Sequence, residues 1–157
     1  MNEESGEDMQ SVIDKLSFWI NTVPKEFSYM TELEVSERTN PNKWSKKEII
    51  GHLCDSAMNN LERFIKIQYE EQPFIITPYN QEQWVLLQDY ENSSIEEVLN
   101  LWCSLNKQII RVIEKIPSEK RSYLCDIGNK QIRTFEWLIE DYLEHMEHHL
   151  NNQVFVD

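Results

Sequence analysis

Apolar residues in this chain recur at three- and four-residue intervals over long stretches, and only three glycines and five prolines interrupt them. That pairing constrains the fold more than any other feature. A period near 3.6 predicts amphipathic helices, and sparse punctuation leaves room for a few long ones. Met9, Val12, Leu16, Trp19, Ile20 and Val23 form the first stripe, predicting a helix over 9–23 that Pro24 closes or kinks. Lys25 to Lys43 is polar and mixed, and reads as a strap with one short helical turn around Phe27–Leu33.

The second helix has a strong start. Ser45 and Glu48 make a Ser-x-x-Glu capping box, and Trp44 and Ile49 make the matching hydrophobic staple. Ile49, Leu53, Ala57, Phe64 and Ile67 carry its stripe to about Glu71. Pro73 and Pro78 then break the pattern. A long connector follows from Gln72 to Asn92, with a short helix expected over Tyr79–Leu87. Ser94 and Glu97 make another capping box, opening a helix that ends before Pro117. Ser118 to Arg133 reads as a loop around Gly128, and Thr134 caps a last helix reaching about Asn152.

Four such stripes are buried best against one another, so the expected class is an all-α four-helix bundle in a single domain over 1–157. Connector lengths set the order. A helix of ~23 residues is ~35 Å long at ~1.5 Å per residue. The Gln72–Asn92 connector can cross that distance and start the third helix parallel to the second, whereas a short hairpin loop cannot. The link before Thr134 suits antiparallel neighbours. The prediction is an up-down-down-up bundle with a long crossover between its second and third helices.

Charge excludes some partners. With 28 acidic and 15 basic side chains the net charge is −13, which repels polyanions. Lys43, Lys46 and Lys47, flanked by Glu48, read as a solvated helix start, so nucleic acid is not an expected partner. No run approaches the ~18 apolar residues of a membrane span. The opening Met1–Asp8 stretch is acidic and polar, unlike a signal peptide, and predicts a cytoplasmic protein. Cys54, Cys103 and Cys125, odd in number and without a Cys-x-x-Cys pair, read as reduced structural thiols.

Three of the four histidines fall within five residues of the last helix. His145 and His149 lie about 40° apart around a helix, one turn from each other, near the line through Leu138. They stand where the stripe calls for core residues, which is how a helix offers two imidazoles to one ion. His148 falls on the acidic side with Asp141, and His145 with His148, three residues apart, is the competing pair. His52, near the start of the second helix, heads a polar band of Asp55, Ser56, Asn59 and Arg63 bordering the core. It is the candidate third ligand. A hydrogen-bonded core His52 with solvent-facing last-helix histidines satisfies the same spacing. Three imidazoles would leave a coordination position open, as in catalytic sites.

The segment Trp44–Ala57 with its Gly51-His52-Leu53, the segment Pro78–Trp84, and Asp141–His149 with its His145-x-x-His148-His149 resemble the DinB-like superfamily. Within it the likeness is to the YfiT-like branch of metal-dependent hydrolases. The resemblance spans nearly the whole chain. It implies an up-down-down-up bundle holding a divalent ion, zinc or nickel, on three histidines matching His52, His145 and His149. One departure stands out: many relatives end the motif with Leu-x-Gln-Ile, where this chain has Leu150-Asn151-Asn152-Gln153-Val154.

The resemblance also brings activities. Related bundles include thiol S-transferases using a low-molecular-weight thiol such as bacillithiol or mycothiol. A hydrolase needs a carboxylate base near its metal, and Asp55, one turn beyond His52, is the candidate on that face. Asp141, one turn before His145, is placed to orient that imidazole. A thiol transferase needs no protein base, because the metal acidifies the thiol. It does need a pocket for a charged thiol, for which Arg63, Asn59, Tyr79 and Trp84 are candidates. The expected function is therefore a metal-dependent hydrolase acting on a small molecule, with thiol transfer as the alternative. A non-catalytic metal- or ligand-binding bundle, or a homodimer formed through the first and third helices, is the expectation from another class.

Overall fold

The computed structural model describes residues 3–156, with side chains from Met9 onward. Met1, Asn2 and Asp157 lie outside the described residues, as do the side chains of the acidic opening stretch.

Four long helices are built as their stripes predict: α1 (Glu3–Phe27), α3 (Lys46–Lys66), α5 (Ile95–Glu114) and α6 (Phe135–His149). Two short helices, α2 (Glu32–Ser36) and α4 (Gln81–Leu87), lie in the connections. At the head of α3 the capping box is complete, Ser45 accepting the Glu48 N–H while Glu48 accepts the Ser45 N–H. Ser94 and Thr134 cap α5 and α6 in the same way, accepting the N–H of Glu97 and of Trp137.

Pro24 does not end α1, which continues to Phe27. A proline there leaves the Ile20 carbonyl without its usual partner four residues on. The Cys103 thiol on α5 lies 3.9 Å from that carbonyl and takes the vacant role. The strap's helix also lies further along than Phe27–Leu33. Thr31 caps α2 by accepting the Glu34 N–H, a Thr-x-x-Glu start inside polar sequence.

Cross-helix contacts give the directions. Trp19 and Phe27 of α1 both meet Phe155, and Trp19 Nε1–H donates to Glu147 at 2.9 Å, so α1 and α6 run parallel. On α3 and α6, His52 faces His145 and His149 while Phe64 faces Phe135 and Tyr142, so these two run antiparallel. Cys54 meets Val98, and Tyr142 joins Phe64 to Asn106, so α3 and α5 run parallel. This is the up-down-down-up order, with the crossover between α3 and α5. The stripes of α1 and α5 close inside the bundle, where Leu16, Trp102 and Ile109 are almost wholly buried. Each such side chain contributes about 1.5–3 kcal/mol.

Two regions differ from the expectation. The 118–133 segment is not only loop: it contributes β2 (Leu124–Asp126) and β3 (Ile132–Thr134), and β1 (Phe74–Ile75) of the crossover pairs parallel with β2. Strands of two or three residues are too short to show alternation in the sequence. The hairpin turns on Gly128 at φ 125°, a left-handed conformation that suits glycine. Lys47, expected in a solvated start, is buried at 3% exposure, its Nζ 3.3 Å from Ser36 Oγ and 3.8 Å from Glu32. The strap covers it. Arg38 fastens the same strap through a bidentate pair with the buried Glu48.

Candidate metal centre

The first turns of α3 and the last turns of α6 meet because the two helices run antiparallel. There His52, His145 and His149 converge, each with a ring nitrogen within 4.8 Å of the others'. The Nε2 atoms of His145 and His149 are 3.2 Å apart. Trp44, half-buried before α3, packs its ring 4.8 Å from the His52 imidazole. His52 is 1% exposed, and neither of its ring nitrogens has a hydrogen-bond partner.

A buried, unbonded imidazole costs about 1–3 kcal/mol unless something else satisfies it. Burial, and next the charges of His149 and His145, push the His52 pKa down to about 3. Burial, then His149 and His148, push His145 down to about 4. Both are neutral at physiological pH, with lone pairs free to coordinate. Three convergent imidazoles are a donor set suited to a divalent transition-metal ion. The residues fit the group.

One residue of this cluster was not anticipated. Beyond His149 the chain forms a wide turn over Leu150–Val154, in which the Phe155 N–H bonds to the Leu150 carbonyl five residues back. Such a turn takes up one residue more than an α-helix does. It brings Gln153 Oε1 to 2.7 Å from His149 Nδ1 and buries Val154 completely. The signal was the motif's end, one residue longer than Leu-x-Gln-Ile. His148 points away, exposed, with its Nδ1 accepting from Asn152 at 3.0 Å.

Two clefts border the cluster. One of about 300 Å³ lies between α3, the crossover, the hairpin and α6, and reaches His145. Ser56, Asn60, Arg63, Tyr79 and Asp141 line it. The other, of about 620 Å³, reaches His149 and is lined by Trp44, Ile49, Glu82 and Gln153 among others.

The remaining expected site residues fall in different places. Asp55 is fully buried and lines neither cleft. Its Oδ1 accepts from Tyr90 O–H at 2.7 Å and from Gln88, while Oδ2 is buried and unbonded. Burial raises its pKa, against the lowering effect of those two bonds. Asn59 donates to the Asp55 carbonyl at 2.9 Å, and its neighbour Asn60 faces the cleft. Arg63 and Tyr79 share the cleft, the guanidinium 5.9 Å from the ring centroid. Trp84 packs behind Tyr79 at 5.3 Å. Asp141 lies on the cleft one turn before His145, and no hydrogen bond joins the two among the described residues.

A four-helix bundle of this order, with three histidines converging between its second and fourth long helices, is a recognisable class. The chain belongs to the DinB superfamily, whose sequence pattern matches residues 19–152. An Oceanobacillus iheyensis protein named "Putative metal-dependent hydrolase OB0782" is 32% identical over 123 residues, covering 73% of this chain and 69% of that protein. "Putative metal-dependent hydrolase BH0277" of Halalkalibacterium halodurans is 27% identical, covering 83% of this chain and 78% of its own. Among solved structures, the fold is similar to that of YfiT from Bacillus subtilis, described as a probable metal-dependent hydrolase with an unusual four-helix bundle topology. The TM-score is 0.79 at 22% identity, over 96% of this chain and 83% of that one.

Proposed function

We propose that this chain is a metal-dependent hydrolase of a small-molecule substrate, with His52, His145 and His149 holding one divalent ion. The observation that carries the reading is His52, buried and unbonded at both ring nitrogens, facing two other imidazoles. The names of the relatives point the same way. Zinc or nickel suits three imidazole ligands.

When bound, such an ion acidifies a coordinated water or thiol and polarises a carbonyl. The chain's own residues bind and orient. Gln153 holds the His149 Nδ1 proton, which leaves Nε2 as the donor atom. The cleft beside His145 seats the substrate between Tyr79 and α6. Asp55 ties the crossover to α3 through Tyr90 and Gln88, and so steadies the crossover that walls the cleft rather than taking a substrate proton.

A second reading, thiol S-transfer with a low-molecular-weight thiol, rests on the two clefts. His145 borders one and His149 the other, as two substrates meeting at one centre require. The test is turnover of a panel of esters and amides by zinc- and nickel-loaded protein, with and without added thiol and an electrophilic acceptor. Metal-dependent, thiol-independent hydrolysis supports the hydrolase. Turnover only with thiol moves the reaction to transfer. Metal uptake without turnover in either assay reduces the protein to a binding bundle. No helix among the described residues is long and apolar enough to cross a membrane. A cytoplasmic setting is proposed on the three free cysteines.

A further inference from the structure

The cleft beside His145 has two unlike ends. Because α3 and α6 are antiparallel, Ser56 and His145 lie at one end, and Arg63 and Leu138 at the other. Seven residues separate Ser56 from Arg63 along α3, about 10 Å of helix. The histidine end is where chemistry takes place, so the Arg63 end is where a substrate is held.

Arg63 is half-buried, and among the described residues no carboxylate pairs with it. Its neighbour Glu62 is taken by Lys66 at 2.6 Å. One Nη2–H donates to the Thr77 carbonyl at 2.8 Å, and the Tyr79 ring lies 5.9 Å away. A guanidinium has five N–H donors in a planar fork, so donors beyond the one spent on Thr77 remain for a ligand in the cleft that Arg63 lines. What sets Arg63 apart is its place: it is the arginine that lines the cleft reaching His145. Glu62 acts on this guanidinium only at a distance, and a ligand anion in the cleft would add a direct, charge-assisted pair. Asp141, the carboxylate lining the same cleft, limits how much negative charge the site accepts, which favours a monoanion over a dianion.

We infer that the substrate carries a carboxylate, gripped by Arg63, at the end opposite the bond acted upon near His145. This rests on the proposed hydrolase reading for the location of the chemistry, but the anion site does not depend on the metal. The class is a small acyl compound, an amide or ester with a free terminal carboxylate.

The experiment is isothermal titration of metal-loaded and metal-free protein with adipic acid mono-anilide, its methyl ester and its phosphonate analogue. The acid is expected to bind roughly tenfold or more tighter than the ester, the size of one charge-assisted pair. That preference should vanish in Arg63→Met, survive in part in Arg63→Lys, and leave ester affinity unchanged in both. Circular dichroism of the variants confirms that they fold. Absence of acid binding, equal affinity for acid and ester, or a preference that survives in Arg63→Met overturns the proposal. Tighter binding of the phosphonate overturns the carboxylate assignment. A preference persisting in protein that takes up no metal upholds the anion site and sinks the hydrolase reading, and metal-dependent turnover of the esters without the preference sinks the anion site and leaves the hydrolase reading standing.

Discussion

Gln153 Oε1 lies 2.7 Å from Nδ1 of His149, one wide turn further along the same helix. The bond orients the imidazole and keeps its proton on Nδ1. Removing such an outer partner typically costs about 10–100-fold in metal affinity. Gln153→Ala should show a loss of that size in competition with a chromogenic chelator, and Gln153→Glu should retain most of the affinity. An unchanged affinity in Gln153→Ala would mean that the bond does not tune the site.

His148 and His149 are sequence neighbours with different surroundings. His149 faces His52 and His145, whereas His148 is exposed beside Asn152. His149→Ala should lose bound metal and His148→Ala should keep it. Equal loss in both would break the assignment of ligands.

Gly51 sits under the Tyr90 ring, and a Cβ there would collide with ring carbons rather than with a movable tip. Gly51→Ala should therefore lower stability by about 1–3 kcal/mol through overpacking. Tyr90→Phe removes a donor from the buried Asp55 and should cost about 1–3 kcal/mol as well. The two losses should be less than additive, because Gly51→Ala already displaces the ring that carries the hydroxyl. Denaturant unfolding of the two single variants and the double variant measures this.

The histidine pair also sets a pH dependence in metal-free protein. His52 and His145 are held at about 3 and about 4 when folded, against about 6.5 when unfolded. Between those values the unfolded chain binds more protons, so the stability that neutral imidazoles contribute is complete above pH ~6.5 and is lost as pH falls below it. Unfolding of the metal-free protein should weaken steeply from pH 6.5 toward 4. His52→Phe should flatten that slope, and an identical slope in the variant would contradict the shift.

Much of this was legible in the sequence, for definite reasons. Ser45 with Glu48, Ser94 and Thr134 announce helix starts because capping is local chemistry, and the four stripes follow from periodicity alone. The crossover was legible from connector length. Helical spacing put His145 and His149 on one face, but it left His52 open between ligand and core residue, and the family resemblance chose the trio that the structure brings together. What escaped depends on contacts distant in sequence. Cys103 reaching the Ile20 carbonyl is invisible from Pro24 itself. The pairing of Phe74 with Cys125 joins segments far apart in sequence and involves strands too short for a pattern. Asn60 rather than Asn59 faces the cleft because one residue turns a side chain by about 100°. Gln153 required the wide turn, which no helical period anticipates.

The central claim is that three histidines hold one ion, and metal content tests it most directly. Untagged protein saturated with zinc or nickel and dialysed should retain about one ion per chain by mass spectrometric elemental analysis. His52→Ala, folded by circular dichroism, should retain almost none. A wild-type protein that keeps no metal after saturation, or a His52→Ala variant that keeps the full complement, would contradict the account.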